Sequence, residues 1–170
     1  MEGDPVQEGQ KLERWRNALE LPPDAFTVLH KPEQAINPIT ILATVDPDGT
    51  PHTVPFGILR AVSPKLLRLA CDHYHDTYAN LFRDGQVSVA LLAPPNIAVS
   101  IQWQARVVKE QMKASEQLAI LEIDIKEVKN DMMGRGIIES AVGFMPPEDL
   151  KEYYLGAIAE LEFLQPNGEV

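Results

Sequence analysis

The chain has 170 residues, 45% hydrophobic and 24% charged, ordinary values for one globular domain that can bury its own core. Its formal net charge of −10 repels polyanions, which argues against a nucleic-acid or anionic-membrane surface but leaves room for a small phosphate site with local donors. One cysteine, Cys71, excludes an intrachain disulfide; no apolar run approaches a membrane span, and the acidic start Met1-Glu2-Gly3-Asp4 shows no secretory signal, so a cytoplasmic protein is expected.

Over residues 8–20, Leu12, Trp15, Ala18 and Leu19 recur at helical spacing, and Leu21-Pro22-Pro23 stops the pattern. Asp24 to His30 predicts a second short helix, closed by Lys31-Pro32 because a residue before proline avoids the αR region. The stretch 39–57, ITILATVDPDGTPHTVPFG, then reads as a hairpin. Its first arm, Ile39 to Val45, is apolar and β-branched, and Asp46-Pro47-Asp48-Gly49 supplies the turn. In the second arm His52, Val54, Phe56 and Ile58 share one face, with Thr53, Pro55 and Gly57 on the other. Pro51 and Pro55 lack N–H donors, so this arm cannot pair normally on both sides and offers a ligand free backbone groups.

Ile58 to Val62 continues the second arm, Ser63-Pro64-Lys65 turns the chain, and Leu66 to Cys71 is the third strand. Asp76-Thr77 are placed to cap a helix through Tyr78, Leu81 and Phe82 to Arg83, with Gly85 just beyond it. Gln86 to Leu92 is a fourth strand. Ile97 to Val108 is a fifth, with Ser100, Gln102, Gln104 and Arg106 on one face and Ile101, Trp103, Ala105 and Val107 on the other. Leu118 to Val128 fits both periods, and its isoleucines favour a strand. Residues 132–143 are punctuated by glycine and carry no clear element. Pro146-Pro147-Glu148-Asp149 starts a C-terminal helix whose stripe is Leu150, Tyr154, Ile158 and Leu161. The chain is thus a single domain, mainly β with flanking helices: a helical segment at about 8–30, an antiparallel barrel at about 38–130, and a helix at about 147–163. Its apolar strand faces exceed what one lumen hides, which argues for a dimer.

The hairpin pattern of LATV, a polar turn ending in DG, then PH and P, resembles the pyridoxamine 5′-phosphate oxidase-like flavoproteins, the FMN-binding split-barrel family. The likeness continues through Asn80-Leu81 to about Val128, roughly the central half of the chain, and rests on the order of several short motifs. It implies an antiparallel split β-barrel, an FMN cofactor, and a homodimer with the flavin at the subunit interface. It also implies hydride or electron transfer between a reduced nicotinamide and a small-molecule substrate.

In the family the flavin phosphate sits where a strand end meets a helix start, here within 72–81, and a helix N-terminus suits an anion. Family members carry a serine and a lysine before Asn-Leu; this chain has His75 and Thr77 there. The implied cofactor contacts are therefore His75, Thr77, Tyr78, Asn80 and nearby amides, with Arg83 or Arg106 as further candidates. His52, Thr53, Val54 and Pro55 are expected at an isoalloxazine edge. Trp103 replaces a usual glycine and is expected to stack on flavin or fill a dimer seam, and Gln102 to hydrogen-bond a pyrimidine ring. Each has a plainer reading: helix cap, half-exposed strand histidine, core tryptophan, solvated glutamine.

Cys71, His73 and His75 point to one side of an extended chain and are ligand types for zinc, copper or haem iron, but no fourth ligand is evident and no metal is expected. No acid pair, Ser/His/Asp set or glycine-rich phosphate loop stands out. A flavoenzyme does not need them, because the isoalloxazine carries the electrons. The alternative is a non-catalytic module on the same barrel that stores or senses flavin or haem; a deazaflavin in place of FMN stays open.

Overall fold

The computed structural model describes residues 15–30, 36, 38–132, 134 and 136–165. They form an eight-stranded antiparallel sheet with three α-helices. In chain order these are β1 (Asn17–Ala18), α1 (Pro23–His30), β2 (Thr40–Val45), β3 (Pro51–Phe56), β4 (Leu59–Ser63) and β5 (Leu66–Asp72). Then follow α2 (Asp76–Asp84), β6 (Gln86–Ala93), β7 (Ile97–Lys109), β8 (Leu118–Asn130) and α3 (Lys151–Phe163), the last entered through a single 3-10 turn.

The strand order is β3-β2-β6-β7-β8-β5-β4, with β1 added on β8. Consecutive strands β3 and β4 thus lie at opposite ends of the sheet, although only Gly57 and Ile58 separate them. Three Cα steps reach at most about 11 Å, so the sheet must curl until its two edges nearly meet. That is a split β-barrel. The expectation that Ile58 to Val62 extends β3 is corrected here: β4 pairs with β5, and the Ile58 carbonyl accepts from Ala70 N–H. Gly57 makes the break possible, since a Cβ there would lie 2.8 Å from Ile36 Cγ2 and 2.9 Å from Ile39 Cδ1.

The turn closes as its residues predict, with Asp46 N–H donating to the Thr50 carbonyl and Thr50 N–H to the Asp48 carboxylate. The N-terminal helix is a second correction. Asn17 and Ala18 pair with Lys129 and Val128, because the free edge of β8 offers backbone partners that outweigh a short helical pattern. Residues 8–14 and the stop at Lys31-Pro32 lie outside the described residues.

Two apolar clusters form. The lumen holds Leu42, Leu67, Leu69, Leu91, Ile101, Leu121, Ile123 and Val128, all essentially buried. The second lies outside the barrel, where Ala157, Ile158 and Leu161 of α3 cover Ile58, Ala70 and Ile120. Leu150 belongs to the predicted stripe but is 43% exposed. Buried polar bonds hold α3 down: Arg68 donates to the Leu161 and Leu164 carbonyls and to Glu122, and Glu160 accepts from Lys109 Nζ and from the N–H groups of Lys113 and Ala114. No helix among the described residues is long and apolar enough to cross a membrane.

Candidate functional site

α2 closes one end of the barrel with Thr77, Asn80 and Leu81 turned inward. Gly85 ends it at φ 70°, and a Cβ there would lie 2.5 Å from the Ala105 carbonyl oxygen, so only glycine fits. Its start is uncapped. Asp76 and Thr77 were the expected caps, but His75 occupies the cap position and makes no side-chain bond to the helix. The His75 carbonyl accepts from the Tyr78 and Ala79 N–H groups, but its side chain accepts from none of the helix amides.

Among the described residues, two buried polar atoms beside this helix start have no partner, Thr77 Oγ1 and His73 Nε2. Thr77 is fully buried. Orphaned buried groups carry a free-energy cost and mark the place of an absent acceptor or water. In donor chemistry the Thr77 hydroxyl, the α2 amides and His73 in its Nε2–H tautomer match the oxygen-rich tail of a flavin. His73 stacks edge-on against Tyr78, whose hydroxyl lies 3.4 Å from Glu110. Burial first, then Glu110, raises the Tyr78 phenol above its ordinary value.

Asn80 turns away from this point. Its amide donates to Thr44 Oγ1 at 3.0 Å and to Asp46 at 2.8 Å, and its oxygen accepts from Arg83, which also donates to the Val45 carbonyl. Asn80 thereby ties α2 to the β2–β3 turn. Just past that turn, on β3, His52 is half-buried, 3.7 Å from the Asp46 carboxylate. Thr53 and Pro55 are exposed on the edge strand, and Val54 packs against the lumen cluster.

Gln102 and Trp103 lie elsewhere. By register Thr53, Ala43, Ser88 and Gln102 form one row across β3, β2, β6 and β7, three strand spacings or about 14 Å long. At its α2 end opens a groove of about 610 Å³ lined by Val45, Asp84, Gln86, Ser88, Gln102 and Trp103, among others. The register slips between Gln102 and Trp103 against β8. The extra residue is Lys126 on β8, so β7 keeps its alternation and Trp103 shares a face with Ile101 and Ala105, opposite Val87 and Ile125; it is nonetheless 48% exposed, with the Lys126 ammonium 3.9 Å above its ring. Asp84 is held below the ordinary carboxylate range by the Gln86 N–H and the Arg83 guanidinium, so it serves as an anionic acceptor.

The groove residues Asp84, Gln86 and Ser88 were not singled out from sequence, and only the register that sets them beside Gln102 reveals them. Cys71 is buried and its thiol pushed up to about 12, by burial first and by Asp72 second. Among the described residues no three His, Cys, Asp or Glu side chains come together as a metal site.

The family model for pyridoxamine 5′-phosphate oxidase matches residues 33–139. Among solved structures, a candidate pyridoxamine 5′-phosphate oxidase of Lactobacillus delbrueckii superposes with a TM-score of 0.56 at 21% identity, covering 67% of this chain and 98% of its own. A variant of HupZ from Group A Streptococcus superposes with a TM-score of 0.51 at 15% identity, covering 64% and 97% respectively. At these identities the likeness is one of fold. No curated protein matches the chain by sequence. α3 lies beyond the residues the family model matches.

Proposed function

From the premise that the chain belongs to the pyridoxamine 5′-phosphate oxidase family, we propose that it binds FMN and works as a flavin-dependent oxidoreductase. Its electrons would pass between a reduced nicotinamide and a small acceptor. The observation that carries the reading is the uncapped start of α2 with Thr77 Oγ1 and His73 Nε2 orphaned beside it. Thr77, the α2 amides, His73 and His75 would hold the flavin tail, with Tyr78 as their wall. His52, Thr53, Val54 and Pro55 on β3 would border the ring, at the end of the strand order where β3 pairs with β2 alone among the described residues. Bound flavin supplies the redox chemistry, and the protein's part is to bind and orient it and exclude water.

Gln102 and Trp103 line the groove with Asp84 at the far end of α2, about 10 Å along its axis from Thr77. We assign them to the flavin of a second copy, which makes the working form a homodimer with its cofactor at the interface. Purified protein should be yellow and release FMN on denaturation. A colourless protein that takes up no FMN at micromolar concentration overturns the proposal. Thr77→Val should lower flavin affinity about tenfold while leaving the apo protein as stable as before, because the orphaned hydroxyl has no bond to lose. A helix-cap role for Thr77 predicts the reverse.

One observation favours a non-catalytic binder. Among the described residues Asp84 is the only titratable one lining the groove, and its lowered pKa suits it to accept hydrogen bonds rather than to deliver protons near neutral pH. Mixing the flavin-loaded protein with NADH or NADPH separates the two readings. Bleaching faster than that of free FMN supports the reductase, and none supports the binder.

A further inference from the structure

We infer that the site at the start of α2 takes the flavin by its uncharged part and gains little from a phosphate, so that riboflavin and FMN bind with similar affinity. This rests on the flavin reading above and adds the form of the ligand.

The argument is the charge around the helix start. Asp76 stands in the first turn and Asp72 just before it. Glu110 reaches the Tyr78 hydroxyl at 3.4 Å. The loop 110–117, tied to this end by His73 N–H donating to the Gln117 carbonyl, adds Glu116 against Lys113. Neighbouring cations are directed elsewhere. Arg83 holds Asn80, Asp84 and the Val45 carbonyl; Lys109 lies 2.8 Å from Glu160; Arg68 and Arg106 share Glu122, and Arg106 also holds Asp124. Thr77 is neutral where the family places a charged amine.

The remaining donors are the Thr77 hydroxyl, the α2 amides and the imidazoles His73 and His75. The helix end adds only about half a positive charge. What these donors give a phosphate dianion, the surrounding carboxylates largely cancel. The hydroxyls of a ribityl chain meet the same donors without that repulsion.

Riboflavin and FMN are to be titrated into the full chain, following flavin fluorescence, at about 0.05 and 0.5 M salt, which brackets weak and strong screening. The expected result is an FMN affinity within about tenfold of riboflavin's that holds or rises with salt, as screened repulsion requires. FMN binding more than about tenfold tighter and weakening with salt overturns the inference while leaving the flavin reading intact. Binding of neither flavin overturns that reading and this inference with it. Asp76→Asn, at an exposed position, sharpens the result: FMN should tighten severalfold and riboflavin should not change, whereas no change for FMN counts against the charge argument.

Discussion

The two outer faces of the barrel differ in how they are finished. The face of β4, β5 and β8 is covered by α3, which buries Ile58, Ala70 and Ile120 and is fastened at both flanks by buried charged bonds. The face of β2, β6 and β7 has no such cover. It presents the half-buried row Ala43, Ser88 and Gln102, with Leu92 47% exposed on the same side. One strand alternation produces both, so the difference lies in what each face packs against. The covered face behaves as core, and the open one is where the proposed second copy would sit.

Breaking the covered face should cost most. Arg68 is 4% exposed and lies 2.8 Å from Glu122, itself 7% exposed. Arg68→Ala leaves Glu122 with Arg106 as its cation among the described residues and strips the carbonyls of Leu161 in α3 and of Leu164 at its C-cap of their donor. Loss of one partner from such a pair costs about 3–5 kcal/mol, read as a lower denaturant midpoint. A loss under about 1 kcal/mol would show that α3 is held by its apolar side alone.

Glu160 gives a smaller effect with a sign that pH reveals. Burial alone would raise its carboxyl, but the bonds from Lys109 and from the Lys113 and Ala114 amides outweigh it and hold the group below its ordinary value. Because the folded value is depressed, the stability Glu160 contributes is complete above the unfolded carboxyl's value of about 4.3 and is lost as pH falls through the folded one. Glu160→Gln should cost about 1.5–3 kcal/mol at pH 7, the worth of hydrogen bonds to a charged group. The variant should also unfold with a weaker acid dependence below about pH 4.3 than the wild type. An unchanged acid limb would place the acid sensitivity in other carboxylates.

The same contrast explains which features the sequence makes legible. The β2–β3 turn is readable because Asp46, Asp48 and Thr50 settle it among themselves, and the split-barrel family is readable from that hairpin and its successors. β4 is not readable as a partner of β5. Nothing within LRAVS states which sheet edge it joins, and the break at Gly57 depends on Ile36 and Ile39 across the molecule. β1 misleads in the same way, since its helical spacing is local and its partner lies about 110 residues away. At the site, the helix start and Thr77 are legible from the motif, while the orphaned atoms and the groove beside Trp103 exist only once register and packing bring residues together. Trp103 is the sharpest case: alternation gives it the face of Ile101 and Ala105, as the register has it, but says nothing of how far packing covers the ring, which is 48% exposed.

The smallest effect belongs to the groove at the α2 end of the open face. Lys126 covers one side of the Trp103 ring at 3.9 Å, and Lys126→Met keeps the length of the side chain while removing its charge. A cation over an exposed indole contributes about 0.5–1 kcal/mol, so the melting transition should shift only slightly. Trp103 emission, read in a Trp15→Phe background, should change while the fold stays intact. Flavin affinity should hold within about twofold, because Lys126 and a ligand would use opposite sides of the ring. Should Lys126→Met instead cost as much as Arg68→Ala, this end of the open face would be built as tightly as the covered one. The contrast between them would then fail, and with it the reason for placing a second copy there.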